Sequence, residues 1–166
     1  MSKTLTITRH GKSDWEYESL TDFDRPLKLR GYNDAYKMAS HLKKAGTPPD
    51  IFYTSPANRA LYTAIIYSRV FDEAFDKIQI KEDLYLASYW SMLHQIKNCQ
   101  NSFSHLIVFA HNPGVTNLVN YFIENPIYNL PTSGFVRLDF DVDTWEDIGP
   151  ENQIGYIFDY PKKTGG

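Results

Sequence analysis

The sequence predicts an α/β fold: a mostly parallel sheet between two layers of helices, finished by an antiparallel C-terminal hairpin at one edge. Three observations predict it. Runs with strand character alternate four times with runs of helical periodicity, which implies right-handed crossovers between parallel strands. Leu106 to Ala110 is continuously apolar, the pattern of a strand buried on both faces. Beyond residue 134 the rhythm changes to two β-type runs around a turn-rich stretch, which reads as a hairpin.

Taken in order, Thr4 to Thr8 alternates Leu5 and Ile7 with β-branched threonines and ends at Arg9-His10-Gly11, where glycine permits a tight turn. Residues 12 to 27 lack helical periodicity and read as a loop over that strand end. Gly31 then precedes a helix in which Ala35, Met38, Ala39 and Leu42 recur on one face. Gly46 and Pro48-Pro49 end it. Ile51 to Thr54 is the second strand, and Ser55-Pro56 reads as a side-chain cap and proline opening the next helix, with Ala60, Ala64 and Tyr67 at helical spacing. Ile78 to Ile80 is a short strand. Ala87 to Asn98, carrying Trp90, Leu93, His94 and Ile96, reads as an amphipathic helix capped by Ser88. After Leu106 to Ala110 and His111-Asn112-Pro113-Gly114 comes a fourth helix with Val115, Leu118, Val119 and Phe122 on one side. Gly134 to Phe140 and Ile154 to Tyr160 form the hairpin.

The 166 residues suit one domain over 1–161, with a short tail, 162–166, expected to be disordered. At 42% hydrophobic and 22% charged residues the composition is globular, which excludes a disordered or fibrous chain. A net charge of -3 supplies no basic field for a nucleic acid, and no Lys/Arg run addresses a membrane surface. Cys99, the only cysteine, allows no internal disulfide and no Cys-based zinc site. With no signal-like apolar stretch, the expected location is the cytoplasm.

Chemistry is concentrated at strand ends. Arg9 and His10 follow the first strand, Arg59 falls in the first turn of the second helix, and His111 follows the most apolar strand. A cation in the first turn does not favour a helix, whose N-terminal dipole end is already positive, so Arg59 points to work on an anion. Neighbouring parallel strands would bring these ends together. Neutral imidazole can attack phosphorus, and guanidinium forks hold phosphoryl oxygens, so the set points to phosphoryl transfer.

The ordered motifs Arg-His-Gly-Lys-Ser-Asp-Trp at 9–15, Phe-Asp-Arg-Pro-Leu at 23–27 with Gly31, Ser-Pro-Ala-Asn-Arg-Ala at 55–60 with Thr63 and Ala64, Asp-Leu-Tyr at 83–85, His-Asn-Pro-Gly at 111–114 and Leu-Pro-Thr-Ser-Gly at 130–134 resemble the histidine phosphatase superfamily, and within it the small SixA-type phosphohistidine phosphatases. The resemblance covers almost the whole chain and implies the phosphoglycerate mutase-like fold. It implies that His10 is the nucleophile that becomes phosphorylated, that Arg9, Arg59 and His111 complete the catalytic pocket, and that Arg25 contacts the anion. It implies no metal or organic cofactor. A neutral His10 and a protonated His111 are expected. Ser13, through its hydroxyl, and Gly11 and Asn112, at the turns, complete the candidate phosphate-binding set, with backbone N–H groups near the start of the fourth helix available to an anion.

One departure carries information. Larger mutase-like and phosphomonoesterase relatives place a glutamate two residues after the leucine aligned with Leu84, and here Leu86 stands there. An alkoxide needs proton donation to leave, whereas imidazole, whose conjugate acid has a pKa of roughly 6.5, departs far more easily. The missing acid therefore favours a phosphoramidate such as phosphohistidine, and with the SixA-type resemblance the expected substrate is a protein phosphohistidine. A small-molecule phosphomonoesterase with a displaced acid such as Asp83, and a non-catalytic phosphoprotein-binding module, are the alternatives. His41, His94 and His105 are expected at the surface or a boundary, Cys99 as an idle thiol, and Tyr85 and Trp15 either at the mouth or in the core.

Overall fold

The computed structural model describes residues 2–163. Its six strands are β1 (Lys3–Arg9), β2 (Ile51–Thr54), β3 (Ile78–Ile80), β4 (His105–Ala110), β5 (Phe135–Phe140) and β6 (Gln153–Asp159), in the order β3-β2-β4-β1-β5-β6. The first four in that order run parallel, and β5 and β6 are antiparallel additions at one side. The helices are α1 (Leu29–Ala45), α2 (Asn58–Val70), α3 (Tyr89–Lys97) and α4 (Gly114–Phe122). This is the mostly parallel, three-layer architecture expected from the alternation of patterns.

Strand side chains alternate between faces, so β4 feeds two cores. Ile107 and Phe109 pack with Met38, Leu42, Ala64 and Tyr67 beneath α1 and α2. Leu106, Val108 and Ala110 pack with Leu93, Leu118 and Phe122 beneath α3 and α4. The chain leaves β1 toward β2 on one side and leaves β4 toward β5 on the other. The adjacent ends of β1 and β4 therefore form the topological switch point, the crevice where open α/β sheets bind ligands.

Several local expectations change. Gly31 lies inside the first turn of α1, because a side chain there would meet the Lys12 carbonyl at 2.3 Å, and only glycine lets the β1 loop lie on the helix. Ser55 does not cap α2. Ala57 holds the N-cap position, while Ser55 Oγ accepts from the Ala57 N–H at 3.2 Å and faces His111. Ser88 does cap α3, accepting from Ser91 N, but Trp90 and His94 fall on the exposed face, and Met92, Leu93 and Ile96 are buried. His105 is buried instead of lying at the surface, whereas His41 is partly exposed as expected. Of the tail expected to be disordered, Lys162 and Lys163 form a turn in which Lys163 Nζ donates to the Phe158 carbonyl at 2.7 Å, and residues 164–166 lie outside the described residues. Among the described residues, no helix is long and apolar enough to cross a membrane.

Candidate active site

Register places Arg9 of β1 opposite Ala110 of β4, so the next residues, His10 and His111, leave adjacent strand ends and their ring centroids sit 5.2 Å apart. Arg59 arrives from the first turn of α2, and Arg25 from the β1–α1 loop, which a Ser13–Leu27 bridge folds back toward the sheet. Arg9, His10, Ser13, Arg25, Arg59 and His111 line one cavity of about 310 Å³, and Asn112 forms part of its wall. Gly11 does not line it. Its N–H donates to Thr63 Oγ1 at 3.0 Å, and Thr63 Oγ1 donates to the Arg59 carbonyl at 2.7 Å, so Gly11 anchors the loop to α2 rather than offering a donor to an anion.

The two imidazoles are set for different tasks. His10 Nδ1 lies 2.7 Å from the Gly11 carbonyl oxygen, which can only accept, so Nδ1 carries the proton and Nε2 keeps a free lone pair. Burial, reinforced by His111, Arg59 and Arg9 and opposed by the Gly11 carbonyl, pushes the His10 pKa down to about 3. Burial and the neighbouring arginines, opposed by Asp22, push His111 down to about 4. His111 is therefore neutral at pH 7, not protonated as expected. It remains a donor at Nδ1 when the Ser55 hydroxyl, 2.8 Å from Nε2, donates to that nitrogen.

Asp22 organises the arginines, although none of the sequence motifs includes it. Arg59 donates through Nη1 to the Asp22 carbonyl at 2.6 Å and through Nη2 to Oδ2 at 2.9 Å. Arg25 Nη2 donates to Oδ1 at 2.9 Å, and the Tyr85 hydroxyl to Oδ2 at 2.7 Å. Partial burial acts to raise the Asp22 pKa, but the Tyr85 and Arg59 hydrogen bonds and both guanidinium charges outweigh it and hold the carboxyl below its ordinary value. Asp22 spends one edge of each guanidinium and leaves the rest. The buried Nε atoms of Arg9, Arg25 and Arg59, Arg25 Nη1 and His111 Nδ1 have no protein acceptor. Buried donors are almost always satisfied, so five nitrogens of this kind on residues around one cavity mark a site for an acceptor-rich anion.

Asn112, in the wall, spends its side chain on the neighbouring loop. Its amide donates to Asn129 Oδ1 at 2.7 Å and to the Leu130 carbonyl at 3.3 Å, and its Oδ1 accepts from Thr116 Oγ1 at 2.6 Å. The same Leu130 carbonyl accepts from Arg9 Nη1 at 3.1 Å, so Asn112 holds the loop that steers Arg9. Trp15 stands at the mouth, 72% exposed, with the Arg25 guanidinium 3.3 Å from its ring centroid. Tyr85 lies edge-on to His111. Leu86 lines the cavity, but Asp83 does not. Asp83 belongs to the neighbouring cavity, where Oδ2 accepts from Gln95 Nε2 at 3.3 Å. Cys99 is a buried thiol whose pKa burial pushes up, and it does not line the cavity.

Comparison with solved structures gives the same fold. A provisionally assigned phosphohistidine phosphatase SixA from Agrobacterium tumefaciens superposes with a TM-score of 0.76 at 25% identity, over 83% of this chain and 92% of that one. The protein histidine phosphatase SixA complexed with tungstate superposes with a TM-score of 0.74 at 19% identity, over 95% and 94% of the two chains. Among curated sequences, a 2,3-bisphosphoglycerate-dependent phosphoglycerate mutase from Bartonella bacilliformis is 42% identical over 66 residues, 39% of this chain and 32% of the mutase. An uncharacterised chloroplastic protein of Arabidopsis thaliana is 40% identical over 63 residues, 38% of this chain and 29% of that protein. These matches span about a third of the relatives' length. The family model for the histidine phosphatase superfamily (branch 1) matches residues 5–88, about half of the chain, including Arg9, His10, Arg25 and Arg59. With that match and the shared fold, the chain belongs to the histidine phosphatase superfamily.

Proposed function

We propose that the protein is a phosphatase that transfers a phosphoryl group to His10 Nε2 and then to water, with protein phosphohistidine as its substrate. One observation carries the reading: a buried imidazole with its proton held on Nδ1 shares a cavity with five buried donor nitrogens that lack acceptors. In the first step His10 Nε2 forms the new P–N bond as the substrate's P–N bond breaks in line, and the N–H groups that Arg9, Arg25 and Arg59 do not spend on Leu130 and Asp22 take the equatorial oxygens. The leaving imidazole, already protonated on its distal nitrogen, departs neutral and needs no acid from the protein. Phospho-His10 retains the Nδ1 proton on the Gly11 carbonyl, so when water attacks phosphorus the enzyme's own imidazole also leaves neutral. The incoming water loses its proton to the product phosphate or to solvent.

Leu86 lines the cavity where larger relatives place a glutamate, and the carboxyl that does line it, Asp22, is held ionised by Arg25, Arg59 and Tyr85 and has no proton to give, which disfavours alkyl phosphates. The position of Asp83 outside this cavity speaks against the displaced-acid alternative, and the intact pocket speaks against a purely binding module. A substrate panel tests the reading. Phosphohistidine peptides and phosphoimidazole should turn over at least about a hundredfold faster than alkyl monoesters, the scale of a missing general acid. Leu86→Glu should raise alkyl ester hydrolysis about tenfold. Equal or faster alkyl ester turnover by the unaltered protein would overturn the substrate assignment.

A further inference from the structure

Three cavities adjoin across the face that carries His10. Lys12 and Thr132 wall both the central cavity and a second one of about 300 Å³. Leu86 walls both the central cavity and a third one of about 600 Å³. Together they make a trough with the phosphoryl site in its middle, and its ends differ in charge. Lys12, Arg30 and Lys162 line one end against a single carboxylate, Asp34, which lies 3.6 Å from Arg30. Glu82 and Asp83 line the other, where no lysine or arginine contributes and His94 is the one titratable base.

Large apolar side chains follow the same path. Trp15, Leu86 and Trp90 are 72%, 59% and 58% exposed, and each lines the central or the acidic cavity. Leu86 has φ +48°, a left-handed conformation that costs energy for a leucine and holds its side chain on the ridge between two cavities. Scattered exposed apolar residues need no explanation, but three along one channel next to an anion site make a contact surface.

We propose that this trough docks a phosphorylated polypeptide segment in one direction, with cationic residues on one side of the phosphorylated residue facing Glu82 and Asp83, and anionic residues on the other side facing Lys12, Arg30 and Lys162. The inference rests on the phosphatase reading of the central cavity and adds how the substrate is recognised. A small phosphorylated molecule would fill only the middle, whereas a polypeptide continues from the phosphorylated residue in both directions and reaches both ends. Opposed charges fix which end goes where and reject a reversed partner, setting specificity more than affinity.

The test uses a stable phosphohistidine mimic, phosphoryl-triazolylalanine, free and at the centre of three eleven-residue peptides. One peptide carries lysines before the mimic and glutamates after it, one the reverse, and one alanines on both sides. Affinities for the whole chain and for a Glu82→Lys/Asp83→Lys double variant are read from Trp15 and Trp90 fluorescence. One charge order should bind about tenfold tighter than the reverse, the scale of a few exposed ion pairs acting together. The double variant should erase or invert that preference and leave the free mimic's affinity within about twofold. Equal binding of both charge orders, or a preference that survives the double variant, would overturn the proposal while leaving the phosphatase reading intact. Failure of the free mimic to bind at all would overturn the phosphatase reading itself.

Discussion

His105 and His111 flank the same strand, and burial alone does not distinguish them. Each is 2% exposed, and in each burial is the largest cause of a pKa pushed down to about 4. They differ in their partners. His105, at the N-terminal end of β4, uses both nitrogens on the protein: Nδ1 faces the Thr47 carbonyl at 3.0 Å and Nε2 the Thr6 hydroxyl at 2.9 Å. His111, one residue past the C-terminal end, is held only at Nε2, and its Nδ1 has no acceptor, like the Nε atoms of Arg9, Arg25 and Arg59 on the same cavity. A depressed pKa thus marks burial at both ends of the strand. Only the unsatisfied donor, at the switch point, marks a place for a ligand.

Exchanging the perturbation between the two histidines breaks the comparison most sharply. His111→Ala should lower kcat about 10²- to 10³-fold, the scale of losing one donor to a transition-state oxyanion, with a small change in Tm. His105→Ala should leave kcat within about threefold and cost about 2 to 4 kcal/mol in chemical denaturation, because it leaves the Thr6 hydroxyl and Thr47 carbonyl unpaired and opens a cavity. Loss of activity in both variants in proportion to stability would erase the distinction.

Acidity probes what the two residues share. Both folded pKa values lie below the unfolded value of about 6.5, so the unfolded chain binds more protons below that pH. Their stabilisation is complete above about pH 6.5 and is lost as pH falls through about 4, a window to be read from urea midpoints between pH 7 and pH 4. The imidazole NMR signals of His10, His105 and His111 should not titrate between pH 8 and pH 5, and inorganic phosphate should move only those of His10 and His111. A smaller effect sharpens the geometry further. Asp22→Asn keeps the shape but removes the charge between Arg25 and Arg59, and should lower kcat/KM about tenfold through misplaced guanidinium groups. An unchanged kcat/KM would show that Asp22 does not hold them.

The same contrast shows what the sequence could reveal. Arg9, His10, Arg59 and His111 were legible because strand and helix patterns locate strand ends, and the parallel order then brings those ends into one cavity. Leu106 to Ala110 revealed the sheet's centre by its unbroken apolar run. Asp22 was illegible because it looks like any loop acid. Its one sequence signal is its position three residues before Arg25, while its main partners, Arg59 and Tyr85, are 37 and 63 residues away. His105 looked like a boundary residue because its satisfying partners come from β1 and from the loop before β2. Gly11 and Ser55 followed local rules for turns and caps, and tertiary partners, Thr63 and His111, took those groups instead.

Trapping the covalent intermediate tests the central claim most directly. The protein is mixed with ³²P-labelled phosphohistidine peptide, quenched within milliseconds in alkali and digested for mass spectrometry. Acid-labile, alkali-stable phosphate is expected on His10, at up to one equivalent, absent from His10→Ala and still formed, more slowly, by His111→Ala. Undiminished turnover by His10→Ala, or label on any other residue, would contradict it.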